Sequence, residues 1–306
     1  MSNVTKKKGI SRKGDFIFHW ALLIWPLLQF AVFYIAVNFN SFKMAFERVE
    51  GQSFFYYFEN IFDPKYMWYD VLGAVKTSVI FYVVSMVISV PLALLFAYYI
   101  SKKLWGGKVF RLFLFLPSIV SSMVMVVLFH QFVDKALGTI WQDVFNSSDK
   151  PLLISPSNPD SYISVMLFYL WTNFGTTTLI YSNKMAEISP ETLEAAQLDG
   201  ATSWQEFFYI VLPFTYPTLS VFLVTGFATI FTNQYNLFSF FGSGLGFDTG
   251  TMGYYIFNAV QDAAGKGSYD ANVFNQYAAL SIVVTAVLVP MTLGLRWALD
   301  KFGPQE

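Results

Sequence analysis

The chain has 306 residues, of which 55% are hydrophobic and 13% charged, against about 45–50% and about 25% in soluble domains. A net charge of −1 gives no electrostatic footing for nucleic acid, and the absence of cysteine removes disulfides, thiolate metal sites and cysteine nucleophiles together. With 34 Phe and a mean hydropathy of +0.47, the composition is that of a polytopic membrane protein.

A membrane-crossing helix needs about 20 mainly apolar residues, and six stretches qualify. The tail 1–15 carries Lys6, Lys7, Lys8, Arg12 and Lys13 ahead of the first span, 16–37. It opens like a secretion signal, but the apolar run outlasts an h-region of about 7–15 residues and no small-x-small cleavage site follows, so the span is read as retained. Residues 38–74 form an outer loop rich in Phe and Tyr, in which a short interfacial helix is expected. The second span, 75–100, is long enough to tilt or project from the bilayer.

Lys102, Lys103, Lys108 and Arg111 precede the third span, 110–133. Pro151, Pro156 and Pro159 mark 134–160 as a loop. The fourth span is 162–181 and the fifth 213–232. A glycine-rich turn at 242–250 and a short helix near 252–260 follow, then the sixth span, 277–299, and the tail 300–306. Pro26, Pro91, Pro117 and Pro290 are expected to kink their helices. Lys and Arg concentrate in the N-terminal tail, in the loop after the second span, and at Arg296 and Lys301, which assigns that side and both termini to the cytosol. Lys43, Arg48, Lys65, Lys135, Lys150 and Lys266 are spread over longer loops on the other side.

The loop between spans four and five, 189–213, is the polar island of the chain. Ser189-Pro190-Glu191 reads as a helix start, with serine at the cap, proline in the first position and a carboxylate at the positive end of the dipole. Gly200 is placed to end that helix in the left-handed conformation. Ser203-Trp204-Gln205-Glu206 has the Ser-x-x-Glu spacing of a capping box, so a second short helix is expected before Pro213 opens span five. Glu194 and Asp199 are candidate contacts for a partner; Asp199 is also placed simply to cap the turn at Gly200.

Glu194-Ala195-Ala196, Asp199-Gly200-Ala201, Trp204, Phe207 or Phe208, Ile210 and Leu212-Pro213 resemble the EAA motif of permease subunits of ABC importers, and more narrowly of carbohydrate importers. Trp171-Thr172-Asn173-Phe174-Gly175, the glycine-rich outer loop and Tyr277-Ala278-Ala279 extend the resemblance over about 76–299. One departure is Ile188-Ser189-Pro190, where the family usually has Ile-Pro. The resemblance implies an all-α, six-span type I permease with a core domain at 75–299, preceded by an extra helix and outer loop at 16–74. It implies a coupling helix seated on an ATPase subunit, with Ala195 and Ala196 permitting close approach. Its further implications are a second homologous permease, two ATPase subunits carrying ATP and Mg, an extracellular or periplasmic solute-binding protein, and a bacterial or archaeal cell membrane.

Sugar sites combine a few amides and hydroxyls with aromatic faces. Candidates for the path are Trp171 and Asn173 in span four, Asn233, Gln234, Tyr235 and Asn236 at the outer end of span five, Ser121 with Ser118 and Ser122 in span three, and Asn275, Gln276 and Tyr277 opposite. Thr225, Thr229 and Thr232 read as packing residues, Trp20, Tyr277 and Trp297 as interfacial anchors, and His130 as a packed or interfacial histidine. Span centres lack an obvious carboxylate or base, which counts against an ion-coupled carrier. No Gly-x-x-x-x-Gly-Lys-Ser/Thr loop is present, and nothing groups into an enzyme site, so ATP hydrolysis is expected on a partner and no cofactor on this chain. The expected function is an ATP-driven permease for a carbohydrate, an oligosaccharide in particular. A permease for another solute and a secondary carrier are the alternatives.

Overall fold

The structure is a computed structural model, and it describes residues 12–47, 49–145, 154–156, 161–245, 249–265 and 271–304. All regular structure among the described residues is helical, and six helices are long and apolar enough to cross a membrane. Helix α1 (Arg12–Gln29) runs through a π-helical stretch (Phe30–Ala36) into α2 (Val37–Ala45). The first crossing therefore extends past its predicted end at 37. Asn38 and Ser41 prolong it by bonding back to the carbonyls of Tyr34 (2.5 Å) and Val37 (3.1 Å). This helix is exposed through Asn40 and then packs along α2 on the last helix, where Ala45 is buried.

A short helix does form in the segment after the first crossing, α3 (Tyr56–Phe62), with Tyr57 and Ile61 buried in the core. Next, α4 (Trp68–Ser101) has 34 residues, about 50 Å at 1.5 Å per residue, well beyond a hydrocarbon core of about 30 Å. The second crossing is thus long enough to tilt or to project from the bilayer.

The third crossing corrects the sequence reading. In place of one helix over 110–133, the chain forms α5 (Gly107–Ile119), two extended residues, then α6 (Ser122–Gln131), a π-helical turn (Phe132–Leu137) and α7 (Gly138–Phe145). Val120 and Ser121 have ψ of 143° and 134°. Pro117 has no amide to continue the helical ladder, Ser118 Oγ takes the Phe115 carbonyl (2.7 Å), and β-branched Ile119 and Val120 favour extended backbone. Helix also continues to 145, into the predicted outer loop; 146–153 and 157–160 of that loop lie outside the described residues.

Depth is read from α8 (Ser161–Met185), antiparallel to the broken helix. Arg111 Nη2 donates to Asn183 Oδ1 (2.7 Å), Gly175 lies against the Leu114 carbonyl, and the Phe129 and Phe168 rings are 5.1 Å apart. Residues 110–133 are thus the partner of α8. The pair His130 Nδ1–Asp134 Oδ2 (3.0 Å) sits toward the end of that crossing that lies near the start of α8.

After α8 come α9 (Pro190–Leu198) and α10 (Ser203–Glu206), a π-helical turn (Phe207–Val211), and α11 (Leu212–Ala228). Here Pro213 does not separate a loop helix from a membrane helix. The π turn absorbs its missing amide, so 203–228 is continuous. Helices α12 (Leu237–Phe241) and α13 (Met252–Gly265) cover the end opposite the 189–213 loop, the latter where a short helix was predicted, and α14 (Ala271–Phe302) closes the bundle. One core cluster joins Ala45, Ile61, Ala74, Met252 and Leu280 at that end; another joins Ala93, Ala97, Tyr181, Met185, Phe207 and Val211 at the 189–213 end. That second end gathers the basic loop after α4, the 189–213 loop and the end of α14, where Tyr216 Oη donates to the Leu299 carbonyl (2.9 Å).

Candidate functional site

Helix α9 is capped at both ends. Ser189 Oγ accepts the Thr192 amide (3.3 Å), and Pro190 occupies the first helical position. Inserting Ser189 between Ile188 and Pro190 gives the helix its cap while leaving Ile188 in the core. Ile188 and Leu193 join the same apolar cluster from either side of that cap, which fixes the angle at which the chain enters the helix. At the other end Gly200 is left-handed, with φ +79°; its amide bonds the Gln197 carbonyl (3.1 Å) and Ala201 the Ala196 carbonyl (2.9 Å). These are the two bonds of a Schellman ending. Asp199 is the exposed C-cap.

No residue of α9 is buried. Leu193 and Ala196 face the core partly, whereas Glu194, Ala195 and Leu198 are exposed, Leu198 at 90%. These three lie at i, i+1 and i+4 and form one face. Leu198 was missed in the sequence because a leucine in a helix reads as core.

The second cap is one residue earlier than predicted. Thr202, not Ser203, caps α10: the Gln205 amide donates to Thr202 Oγ1 (3.3 Å), and Gln205 Oε1 accepts from the Thr202 amide (2.8 Å). Glu206 is thereby released from the cap and turned inward. It is 3% exposed, forms an ion pair with Lys102 beyond α4, and accepts from Tyr98 Oη (3.1 Å). A buried carboxylate needs such partners. This clasp ties the 189–213 loop to the end of the second span, and the capping-box spacing had concealed it.

Toward the end opposite the 189–213 loop, the predicted path residues separate into two kinds. Asn233 Nδ2 donates to Tyr169 Oη (3.0 Å), its Oδ1 accepts the Tyr235 amide (2.8 Å), and its carbonyl accepts from Thr251 Oγ1 (3.0 Å). Tyr235 is 3% exposed, its ring packed at a tilt against those of Tyr169 (4.5 Å between centroids) and Phe81 (5.2 Å). Burial pushes its phenol well above the usual range. Tyr235 and Asn236 are both left-handed, at φ 50° and 61°, a conformation that non-glycine residues hold only when their surroundings impose it. Asn233 and Tyr235 therefore build a rigid node, with Gln234 and Asn236 half-buried beside it.

Asn173 and Trp171 are both exposed, but two residues apart on a helix they point about 200° from each other. Asn173 shares the face of Tyr169, whose carbonyl accepts its Nδ2 (3.0 Å). Ser121 is exposed at the break in the third crossing. At the end opposite the 189–213 loop Asn275 and Gln276 are engaged by Glu47 (3.0 Å), Tyr57 and Asn60, which clamps α14 to the segment after the first crossing. Thr225, Thr229 and Thr232 bond back to carbonyls of their own segment.

The geometry has counterparts in known proteins. Residues 89–305 match the family described as binding-protein-dependent transport system inner membrane component. The chain is 22% identical over 241 residues to the multiple sugar-binding transport system permease protein MsmF of Streptococcus mutans, covering 78% of this chain and 83% of that one. It is 27% identical over 222 residues to the lactose transport system permease protein LacF of Rhizobium radiobacter, covering 68% and 72%. Its fold is similar to that of a bacterial ABC transporter involved in the import of the acidic polysaccharide alginate, at a TM-score of 0.77 and 20% identity over 95% of this chain and 97% of that chain. It is similar also to a bacterial alginate ABC transporter solved in complex with an alginate pentasaccharide-bound periplasmic protein, at a TM-score of 0.75 and 20% identity over 94% of each chain. With more than half of its length matched and its helices in this arrangement, the chain belongs to the family of inner membrane components of binding-protein-dependent transport systems.

Proposed function

We propose that the chain is a permease subunit of an ATP-driven ABC importer and forms half of a translocation path for an oligosaccharide. The observation that carries this reading is α9, a capped helix with an exposed face, clasped to a membrane-crossing helix by Glu206 and Lys102. Such a part transmits movement only if another protein grips it. The partners are a second homologous permease, two ATPase subunits that hold ATP and Mg, and a solute-binding protein at the opposite end of the bundle. The sugar named for MsmF and LacF, and the saccharide carried by the alginate system, support a carbohydrate as cargo. The end with Lys102, Lys103, Lys108, Arg111, Arg296 and Lys301 faces the cytosol of a bacterial or archaeal cell.

The broken third crossing supports a location for the path. Non-helical backbone at membrane depth is tolerated only inside protein or beside a water-filled cavity. Val120 and Ser121 are exposed on this chain, so that backbone faces the partner permease or the path between the two. Ser121 and the amides that begin α6 supply hydroxyl and N–H groups for a sugar, and Asn173 an amide.

Uptake into vesicles reconstituted with both permeases, ATPases and binding protein should require ATP and the binding protein. Uptake driven by an ion gradient, without ATPase, would leave the secondary-carrier reading standing instead. Ser121→Phe should lower uptake by about tenfold or more at normal membrane insertion, whereas Thr225→Val, which loses a bond within its own helix, should transport normally; equal rates would move the path elsewhere. Gly200→Val places a β-branched residue at φ +79°, a strain of about 1–3 kcal/mol. It should reduce sugar-stimulated ATP hydrolysis while leaving insertion intact, and wild-type stimulation would argue against α9 as the coupling element.

A further inference from the structure

A cavity of about 1340 Å³ opens at the 189–213 end of the bundle, between the last turns of α4, the start of α5 and the end of α8. It lies away from Ser121, Asn173 and the Asn233–Tyr235 node, and the transport reading gives it no role. Its inner wall is apolar, with Leu95 and Phe96 from α4 facing Phe110 and Phe113 from α5. Its mouth carries Lys103, Lys108 and Arg111, and no Asp or Glu is among the residues that line it.

The mouth is a built turn. Lys103 and Gly106 are left-handed (φ 53° and 79°), and Tyr99 Oη donates to the Trp105 carbonyl (2.7 Å), holding the turn on α4. Arg111 is aimed by Asn183 Oδ1 (2.7 Å), which uses part of a fork with five N–H donors. Trp105 is 96% exposed beside them, as an indole that anchors at a membrane interface is.

We propose that this cavity seats an anionic phospholipid of the leaflet on the 189–213 side, its acyl chains along the Leu95–Phe113 wall and its headgroup among Lys103, Lys108 and Arg111. Two features select a lipid over a free anion: a soluble phosphate has no use for the apolar wall, and the volume exceeds the roughly 300–1,000 Å³ of an ordinary small-molecule site. Three cations without a carboxylate select a negative headgroup, at about fivefold in binding for each cation near an anionic surface. Lys102, one residue from this mouth, is held by Glu206, so a seated lipid would brace the end of α4 at the clasp that holds the 189–213 loop.

The test is native mass spectrometry of the full-length protein with its subunits, stripped of lipid and given phosphatidylglycerol or phosphatidylcholine. The expected result is phosphatidylglycerol retained over phosphatidylcholine by about a hundredfold, the product of about fivefold for each of the three cations. Lys108→Gln with Arg111→Gln should remove most of that preference, while Arg296→Gln with Lys301→Gln, which removes the same charge at the same end but outside the cavity, should keep it. Equal retention of the two lipids, or equal loss in both variants, overturns the proposal. So does competition by millimolar inorganic phosphate, which marks a free-anion site, or efficient cross-linking of Val109→Cys to another subunit, which means protein fills the groove.

Discussion

Glu206→Ala is expected to lower the stability of the permease by about 3 kcal/mol, because removing one member of a buried ion pair leaves the other without its partner. Lys102 is 22% exposed and can swing partly into water, which puts the cost at the lower end of the usual 3–5 kcal/mol. Tyr98 Oη loses its carboxylate acceptor in the same step. The larger consequence is mechanical. With the clasp gone, α10 keeps the weaker bond from Tyr98 Oη to the Ser203 carbonyl (3.3 Å) and the apolar packing of Phe207 and Val211 in the π turn that follows, so movement of α9 reaches the second span less directly. Thermal melting of the purified protein should report the first effect, and ATP hydrolysis continuing with reduced transport the second. Lys102→Met with Glu206→Leu should recover the melting temperature, since apolar residues of similar volume replace buried pairs at little cost. A single variant that melts and transports like wild type would show that the pair carries neither load.

Gly175→Val is the second large effect. A Cβ built at Gly175 falls on the Leu114 carbonyl and lies 3.2 Å from Phe115 Cα, and these are backbone atoms that cannot rotate away. Helices α5 and α8 must separate, which costs at least the roughly 1–3 kcal/mol of ordinary overpacking. The Arg111–Asn183 bond and the wall of the basic-mouthed cavity depend on the same approach. The expected readout is a lower melting temperature and a smaller fraction of monodisperse protein in gel filtration. Gly294→Ala is the control, because nothing lies within 4 Å of the added carbon and alanine favours a helix over glycine. If the two variants behave alike, the close contact between α5 and α8 is refuted.

Much of the 189–213 loop was legible because its signals are local. Ser189 as a cap, Pro190 in the first turn and Gly200 at positive φ each follow from the backbone preference of a single residue type. The second cap was misplaced by one because Thr202-x-x-Gln205 and Ser203-x-x-Glu206 satisfy the same spacing rule. Burial beside Lys102, about 100 residues earlier in the chain, decided between them. The break at Val120–Ser121 was half legible: Pro117 announced a kink, but a kinked helix and a broken one share that signal.

The class of the protein, the positions of its six crossings, the helix near 252–260 and the caps of α9 could be read along the chain, since apolar length and turn chemistry act over a few residues. The chain also carried the motif that led to the family. It took the packed helices to show that Asn233 and Tyr235 are tied to Tyr169, that Asn275 and Gln276 hold α14 to the loop after the first crossing, and that Trp171 and Asn173 look in different directions. A membrane helix is apolar on most faces, so hydropathy does not reveal which polar side chain meets a neighbour and which meets the path. That is settled when helices far apart in sequence are brought into register, as Glu206 is with Lys102 and Gly175 with Leu114.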